Sequence, residues 1–124
     1  MPILNMQIMQ GYSTAQKAQL LQNCSQAIVD SIAAPLPSIR IVLDEVAPEH
    51  VIVAGELGKP MALVLARLIE GRSTEKKAAL IAALSRAVHH SLDLSEQDIR
   101  VIIRDVPKTD IGVAGGITAL AAGR

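Results

Sequence analysis

Apolar residues follow two different spacings along this chain, and the spacings alternate. Near the start, Met6 and Ile8 flank the polar Gln7, and Ile3 to Met9 reads as a short strand. Gly11 and Ser13-Thr14 follow, which is turn and helix-capping chemistry. Leu20, Leu21, Cys24, Ala27, Ile28 and Ile32 then recur at steps of three and four and predict a helix over about 14–33. Pro35 and Pro37 close that region. Ile39 to Leu43 is rich in β-branched residues and predicts a second strand. Val51 to Ala54, ending at a glycine, reads as a short hairpin strand. The same succession then returns. Leu63 to Ile69 predicts a strand, and Leu80, Ile81, Leu84, Ala87, Val88 and Leu92 mark one face of a helix over about 74–92. Ile99 to Ile103 predicts a strand, and Ile111 to Ala114 another hairpin strand. Residues 55–62 read as the linker between the two rounds.

The recurrence holds residue by residue. Shifted by sixty positions, the chain aligns with itself without a gap. Gly11 meets Gly71, Ser13-Thr14 meets Ser73-Thr74, and Lys17-Ala18 meets Lys77-Ala78. Ile39-Arg40 meets Ile99-Arg100, and Val53-Ala54-Gly55 meets Val113-Ala114-Gly115. The halves are tandem copies of one β-α-β unit, spanning 2–57 and 62–119 within a single domain over 1–124. A right-handed crossover in each copy puts its long strands parallel. The expected class is α+β, a four-stranded sheet with both helices on one face. The other face then lacks a cover, and oligomer formation supplies one.

Composition narrows the function. Half the residues are hydrophobic, yet Tyr12 is the one aromatic, so aliphatic side chains must build the core. Twelve basic residues balance twelve acidic ones, which argues against nucleic acid or an anionic membrane as partner. There is no 18-residue apolar run and no basic-then-apolar leader pattern, so neither a membrane span nor a secretory signal is expected. The single Cys24 has no internal disulfide partner, sits in a helical pattern and reads as a small core residue, in keeping with a cytoplasmic protein. His89 and His90 are adjacent on a helix and diverge, and with His50 they meet no ligand constellation, so no metal is assigned.

Pro2 carries the chemistry. Removal of Met1 leaves it as the amino terminus, where its nitrogen becomes a secondary amine on a rigid ring. An α-amino group titrates near about 7.7–8.0, and neighbouring cations or burial lower it into the range of a general base at neutral pH. Position alone also permits a plain strand start.

The residues together resemble the tautomerase superfamily, specifically a fused 4-oxalocrotonate tautomerase. The first half carries Pro2-Ile3, Gly11, Ser13, Ser38-Ile39-Arg40-Ile41-Val42 and Val53-Ala54-Gly55-Glu56-Leu57. The second carries Leu68-Ile69-Glu70-Gly71-Arg72-Ser73 and Asp98-Ile99-Arg100-Val101-Ile102-Ile103. The resemblance covers the whole chain, once per half. It implies the tautomerase fold, a homotrimer of two-copy chains, no cofactor, and a small carboxylate substrate of the kind met in aromatic catabolism.

The resemblance also implies roles. Pro2 matches the proton-moving proline, while its counterpart Ala62 carries only a peptide nitrogen, which leaves one site per chain. Arg72 matches the arginine that binds a carboxylate, and the first copy has Tyr12 there, read as structural. Arg40 and Arg100 both match the arginine that polarises the reacting oxygen, and which of them faces Pro2 stays open. The wall that excludes water falls on Ile111, with Val51 as its counterpart. Arg67 is an extra cation, read as an interface or solvated charge with a second carboxylate ligand as the alternative. The implied activity is keto–enol tautomerisation of 2-hydroxy-dienoates such as 2-hydroxymuconate. Hydration, dehalogenation or decarboxylation of small unsaturated acids is the alternative, with a non-catalytic trimer behind it.

Overall fold

The computed structural model describes residues 2–124, so the expected removal of Met1 lies outside the described residues. The first copy contains β1 (Ile3–Met9), α1 (Thr14–Ile32), β2 (Arg40–Val46), β3 (Ile52–Val53) and β4 (Glu56–Leu57). The second contains β5 (Ala62–Ile69), α2 (Thr74–Leu92) and β6 (Ile99–Val106). The main sheet has the order β2-β1-β5-β6. β1 runs parallel to β2 and β5 parallel to β6, while β1 and β5 meet antiparallel at the centre. The two copies are thus related by a pseudo-two-fold between β1 and β5.

Each helix starts where capping chemistry starts it. Ser13 accepts from the Gln16 amide and the Gln16 side chain returns a bond to the Ser13 amide, a complete capping box. Ser73 caps α2 through the Lys76 amide, and Lys76 has no acceptor to return. Ala33 then ends α1 in a left-handed conformation two residues before Pro35.

The strands alternate in burial, and the alternation assigns the faces. Leu4, Met6 and Ile8 of β1 and Ala62, Val64, Ala66 and Leu68 of β5 are buried against Leu20, Cys24 and Ile28 of α1 and Leu80, Leu84 and Val88 of α2. Both helices therefore cover one face. Lys17 pairs with Glu45 and Lys77 with Asp105, pinning the first turns of the helices to the two edge strands in the same way. Leu84 is fully buried, so Leu84→Ala should lower unfolding stability by about 2–5 kcal/mol. The shift of the urea midpoint measures it.

The opposite face is open. It presents Arg40, Val42 and Asp44 of β2, Ile3, Asn5 and Gln7 of β1, and the corresponding residues of β5 and β6, with Val42 and Ile102 about half exposed. Arg67, at the centre of that face, donates to Asn5 Oδ1 at 2.7 Å.

Two expectations are corrected. Residues 55–62 are not simply a linker: Glu56–Leu57 forms β4 and pairs back on β3, and Ala62 already opens β5. Ala54 and Gly55 both have positive φ, 52° and 83°, which is what a two-residue hairpin turn needs. The second copy does not repeat this hairpin. Gly112 pairs with Thr118 in one isolated bridge, and Val113 donates to Ile117 O. Gly116 stands where Glu56 stands in the first copy but has φ 75° and stays in the turn, so Gly112 meets Thr118 rather than Ile117 and no regular strand pair forms.

Candidate active site

The site is built at the end of the sheet where β1 begins and β5 ends. Pro2 immediately precedes β1, is buried, and its carbonyl accepts from the Arg40 amide at 3.0 Å. Because β1 and β5 are antiparallel, with Ile3 opposite Arg67, the Pro2 end lies beside Ile69 and the turn that follows it. That turn is Glu70-Gly71-Arg72. Gly71 has φ 119°, a conformation that side chains with a Cβ rarely adopt, and it redirects the chain from strand to helix. Arg72 is thereby presented just ahead of the Ser73 cap, with Nη1 donating to Ile69 O at 3.3 Å.

The apolar wall stands behind this turn. Ile111 is buried in a small cluster with Ile69, Val113 and Ala119, against which Ile3 and Val106 pack. This cluster is separate from the main core and joins the start of β1 to the segment after β6. It places Ile111 at the Pro2 end of the sheet.

Two openings lie on this end. One of about 390 Å³ is lined by Ser38, Ile69, Glu70, Arg72, Lys108 and Arg124, among others. An adjoining one of about 370 Å³ shares Ser38 and Arg124 and adds Arg40 and Ala114. Four cations border the pair of openings. Glu70 is the one carboxylate, and it already accepts from the Lys108 amide at 2.7 Å. Ser38 donates to Pro35 O at 2.6 Å, so its hydroxyl is engaged. The arrangement suits an anion with more than one carboxylate. Arginine forks bind such groups bidentately.

The two sheet arginines are placed differently. Arg40 sits on the edge strand next to Pro2, its Nη1 donating to Pro37 O at 2.8 Å and Ile39 O at 3.2 Å. Arg100 makes the same pair of bonds on the other edge, to Gln97 O at 2.7 Å and Ile99 O at 3.3 Å. It is level with Leu63 and Gln7, five residues along β1 from Pro2. At about 3.4 Å per residue that is roughly 17 Å along the sheet, with two further strand spacings across it. Within one chain, then, Pro2, Arg40, Arg72 and Ile111 share an end of the sheet and Arg100 does not.

Near Arg100 lies the counterpart of the site. Ala62 stands where Pro2 does, Tyr12 where Arg72 does, and Asp98 where Ser38 does. Asp98 pairs with Lys59 at 3.6 Å. Burial raises the Tyr12 hydroxyl above its ordinary range, and its ring packs on the core. This end has no amine that processing could free. Burial also pushes the Cys24 thiol up to about 12, which leaves it protonated and unreactive. His89 Nδ1 donates to Leu94 O at 2.7 Å, and among the described residues no three His, Cys, Asp or Glu side chains gather as metal ligands.

Lys108 and Arg124 escaped the sequence reading. Lys108 aligns with Pro48 across the repeat, and Arg124 lies beyond the stretch the two copies share, so the internal alignment flags neither.

The model of the tautomerase enzyme family matches residues 2–59 and again residues 63–120. The chain belongs to the tautomerase family. It is an isomerase with two copies of the family unit in tandem. A 2-hydroxymuconate tautomerase of Stutzerimonas stutzeri is 42% identical over 64 residues, covering 52% of this chain and 100% of that protein. One from Pseudomonas putida is 42% identical over 57 residues, 46% of this chain and 90% of that protein. Among solved structures, a wild-type fused 4-OT that forms a symmetric trimer is 56% identical, with TM-score 0.96 over 98% of this chain and 99% of that one. Another, Pt0534 inactivated by 2-oxo-3-pentynoate, is 40% identical with TM-score 0.97 over the same shares. A fused 4-OT that forms an asymmetric trimer is 42% identical with TM-score 0.93, again over 98% and 99%. Among the described residues of this family member, no helix is long and apolar enough to cross a membrane.

Proposed function

We propose that this chain is a cofactor-independent tautomerase of 2-hydroxy-dienoates such as 2-hydroxymuconate, with Pro2 as its acid–base group. The observation that carries the reading is the shared position of Pro2, Arg72 and the Ile111 wall at one end of the sheet. Cleavage of Met1 converts the Pro2 nitrogen from a tertiary amide to a secondary amine. The surrounding cations and the low exposure disfavour an ammonium there, which leaves a neutral base. That base takes the proton of the 2-hydroxyl and returns a proton to carbon further along the conjugated chain. Arg72 holds the distal carboxylate. Ile111 limits water around the developing charge.

The homologues named 2-hydroxymuconate tautomerase support the substrate class. The trimeric relatives, together with the uncovered sheet face and exposed apolar residues such as Val42, Ile102, Ile52 and Leu57, support a homotrimer. A rotationally symmetric ring joins unlike surfaces. The sheet has two unlike edges, β2 and β6, and a ring closed through them brings β6 of one copy to the β2 edge that flanks Pro2 in the next. We assign the second catalytic arginine on this ground to Arg100 of the neighbouring copy.

The relative inactivated by 2-oxo-3-pentynoate supplies a test. This ynone is an electrophile that alkylates a neutral amine, which adds to its conjugated alkyne. Incubation should abolish turnover of 2-hydroxymuconate, and intact-mass spectrometry should show one inhibitor per chain, located by peptide mapping on the amino-terminal Pro2. Full labelling on another residue, or retention of Met1 in the active protein, would refute the proline reading.

A further inference from the structure

We infer that Arg124 is a specificity-determining residue that makes the pocket select dicarboxylates over monocarboxylates. The inference deepens the proposed tautomerase activity and rests on it for the class of substrate. Arg124 borders both openings at the Pro2 end, sharing one with Arg72 and the other with Arg40. Its place is fixed by a compact turn. The Arg124 amide donates to Ala119 O at 2.9 Å, and the Ala119 amide donates to Ile111 O at 2.9 Å. Leu120 donates to Lys108 O at 3.1 Å, and Ala119 itself is fully buried in the cluster that contains Ile111 and Ile69. Ile69, which lines the first opening, and the anchor of Arg124 therefore belong to the same packed group.

Arg124 is also free to bind. Among the described residues the ion pairs are Lys17–Glu45, Lys59–Asp98 and Lys77–Asp105, and none involves it. Glu70, the acid in its opening, accepts from the Lys108 amide through one carboxylate oxygen and forms no ion pair with Arg124. A guanidinium outside these ion pairs, lining the same openings as Arg72 and Arg40, answers two carboxylates better than one. Arg72 spends one of its five N–H groups on Ile69 O, and a second cation adds donors for the remaining carboxylate oxygens.

The test uses two probes that lack an enol proton and do not react. (E,E)-Muconate and sorbate share a six-carbon diene and differ in having two carboxylates or one. Titration calorimetry should give the wild-type chain a clear preference for muconate. Arg124→Gln should weaken muconate binding about tenfold or more, as expected for the loss of a hydrogen bond to a charged group, and weaken sorbate by a much smaller factor. Arg124→Lys should recover part of the preference. An unchanged muconate affinity, equal losses for both probes, or no wild-type preference would each overturn the inference. The unfolding midpoint of each variant confirms that the fold is kept. Because neither probe is turned over, these results do not depend on Pro2. Turnover that survives Pro2→Ala would sink the catalytic reading and leave the titrations intact.

Discussion

Pro2→Ala is expected to cut turnover of 2-hydroxymuconate by about 10²–10⁴-fold while leaving the fold and the assembly unchanged. The range is that of a single well-placed acid–base group. Alanine at the same place still exposes an amine after Met1 is removed. That amine is primary, on a flexible residue rather than a ring, so it is a different base with a poorer approach. The Pro2 carbonyl bond to the Arg40 amide is a backbone contact that an alanine carbonyl makes equally well, which is why stability should hold. The readout is the ultraviolet change on ketonisation, followed with a mass measurement of the amino terminus in both proteins. Loss in kcat with little change in KM is the signature of a group that acts in the transition state. Full activity in the variant would mean that the proton moves by another route, and the amine would lose its role.

Much of this architecture was legible because it is written twice. A periodic pattern seen once is ambiguous, but the same pattern sixty residues later, with the same Gly, Ser-Thr and Ile-Arg in phase, fixes elements and boundaries together. Helices predicted over 14–33 and 74–92 are found at Thr14–Ile32 and Thr74–Leu92, because caps and apolar stripes agree. The difference between the two ends was legible too, since Pro2 aligns with Ala62 across the repeat and Arg72 with Tyr12. What the repeat hid is where the copies diverge. Gly116, which replaces Glu56 without any insertion, stays in the turn and the second hairpin falls out of register, and a shift of one residue carries no hydrophobic signal in so short a segment. The turn that ends in Arg124 depends on backbone bonds to Ile111 and Lys108, which no side-chain pattern announces. Arg40 and Arg100 could not be told apart by sequence because their local surroundings are alike, down to the two carbonyls that each one bonds. They differ in which end of the sheet they occupy, and that is set by the antiparallel meeting of the two copies.

That difference leads to the second large effect. Arg100→Ala should lower kcat/KM by about 10²–10³-fold, the range for removing one donor aimed at developing negative charge. The residue is exposed and its own bonds are to two nearby carbonyls, so stability should change little. The decisive experiment mixes the two inactive chains. Pro2→Ala supplies an intact Arg100, and Arg100→Ala supplies an intact Pro2. If the arginine works across the boundary between copies, co-refolding equal amounts restores activity. In a head-to-tail ring a site is complete only when an Arg100→Ala chain is followed by a Pro2→Ala chain. Random assembly makes that about one site in four, so recovery should approach about a quarter of the wild-type rate. No recovery in a mixture shown by mass spectrometry to hold both chains would exclude the trans assignment. A full rate in Arg100→Ala alone, with loss in Arg40→Ala, would transfer the role to the arginine beside Pro2. The physical basis of the expected outcome is distance. Arg100 lies roughly 17 Å along the sheet from the Pro2 end of its own chain, beyond the reach of any arginine side chain, so it can serve a proline only in a neighbour.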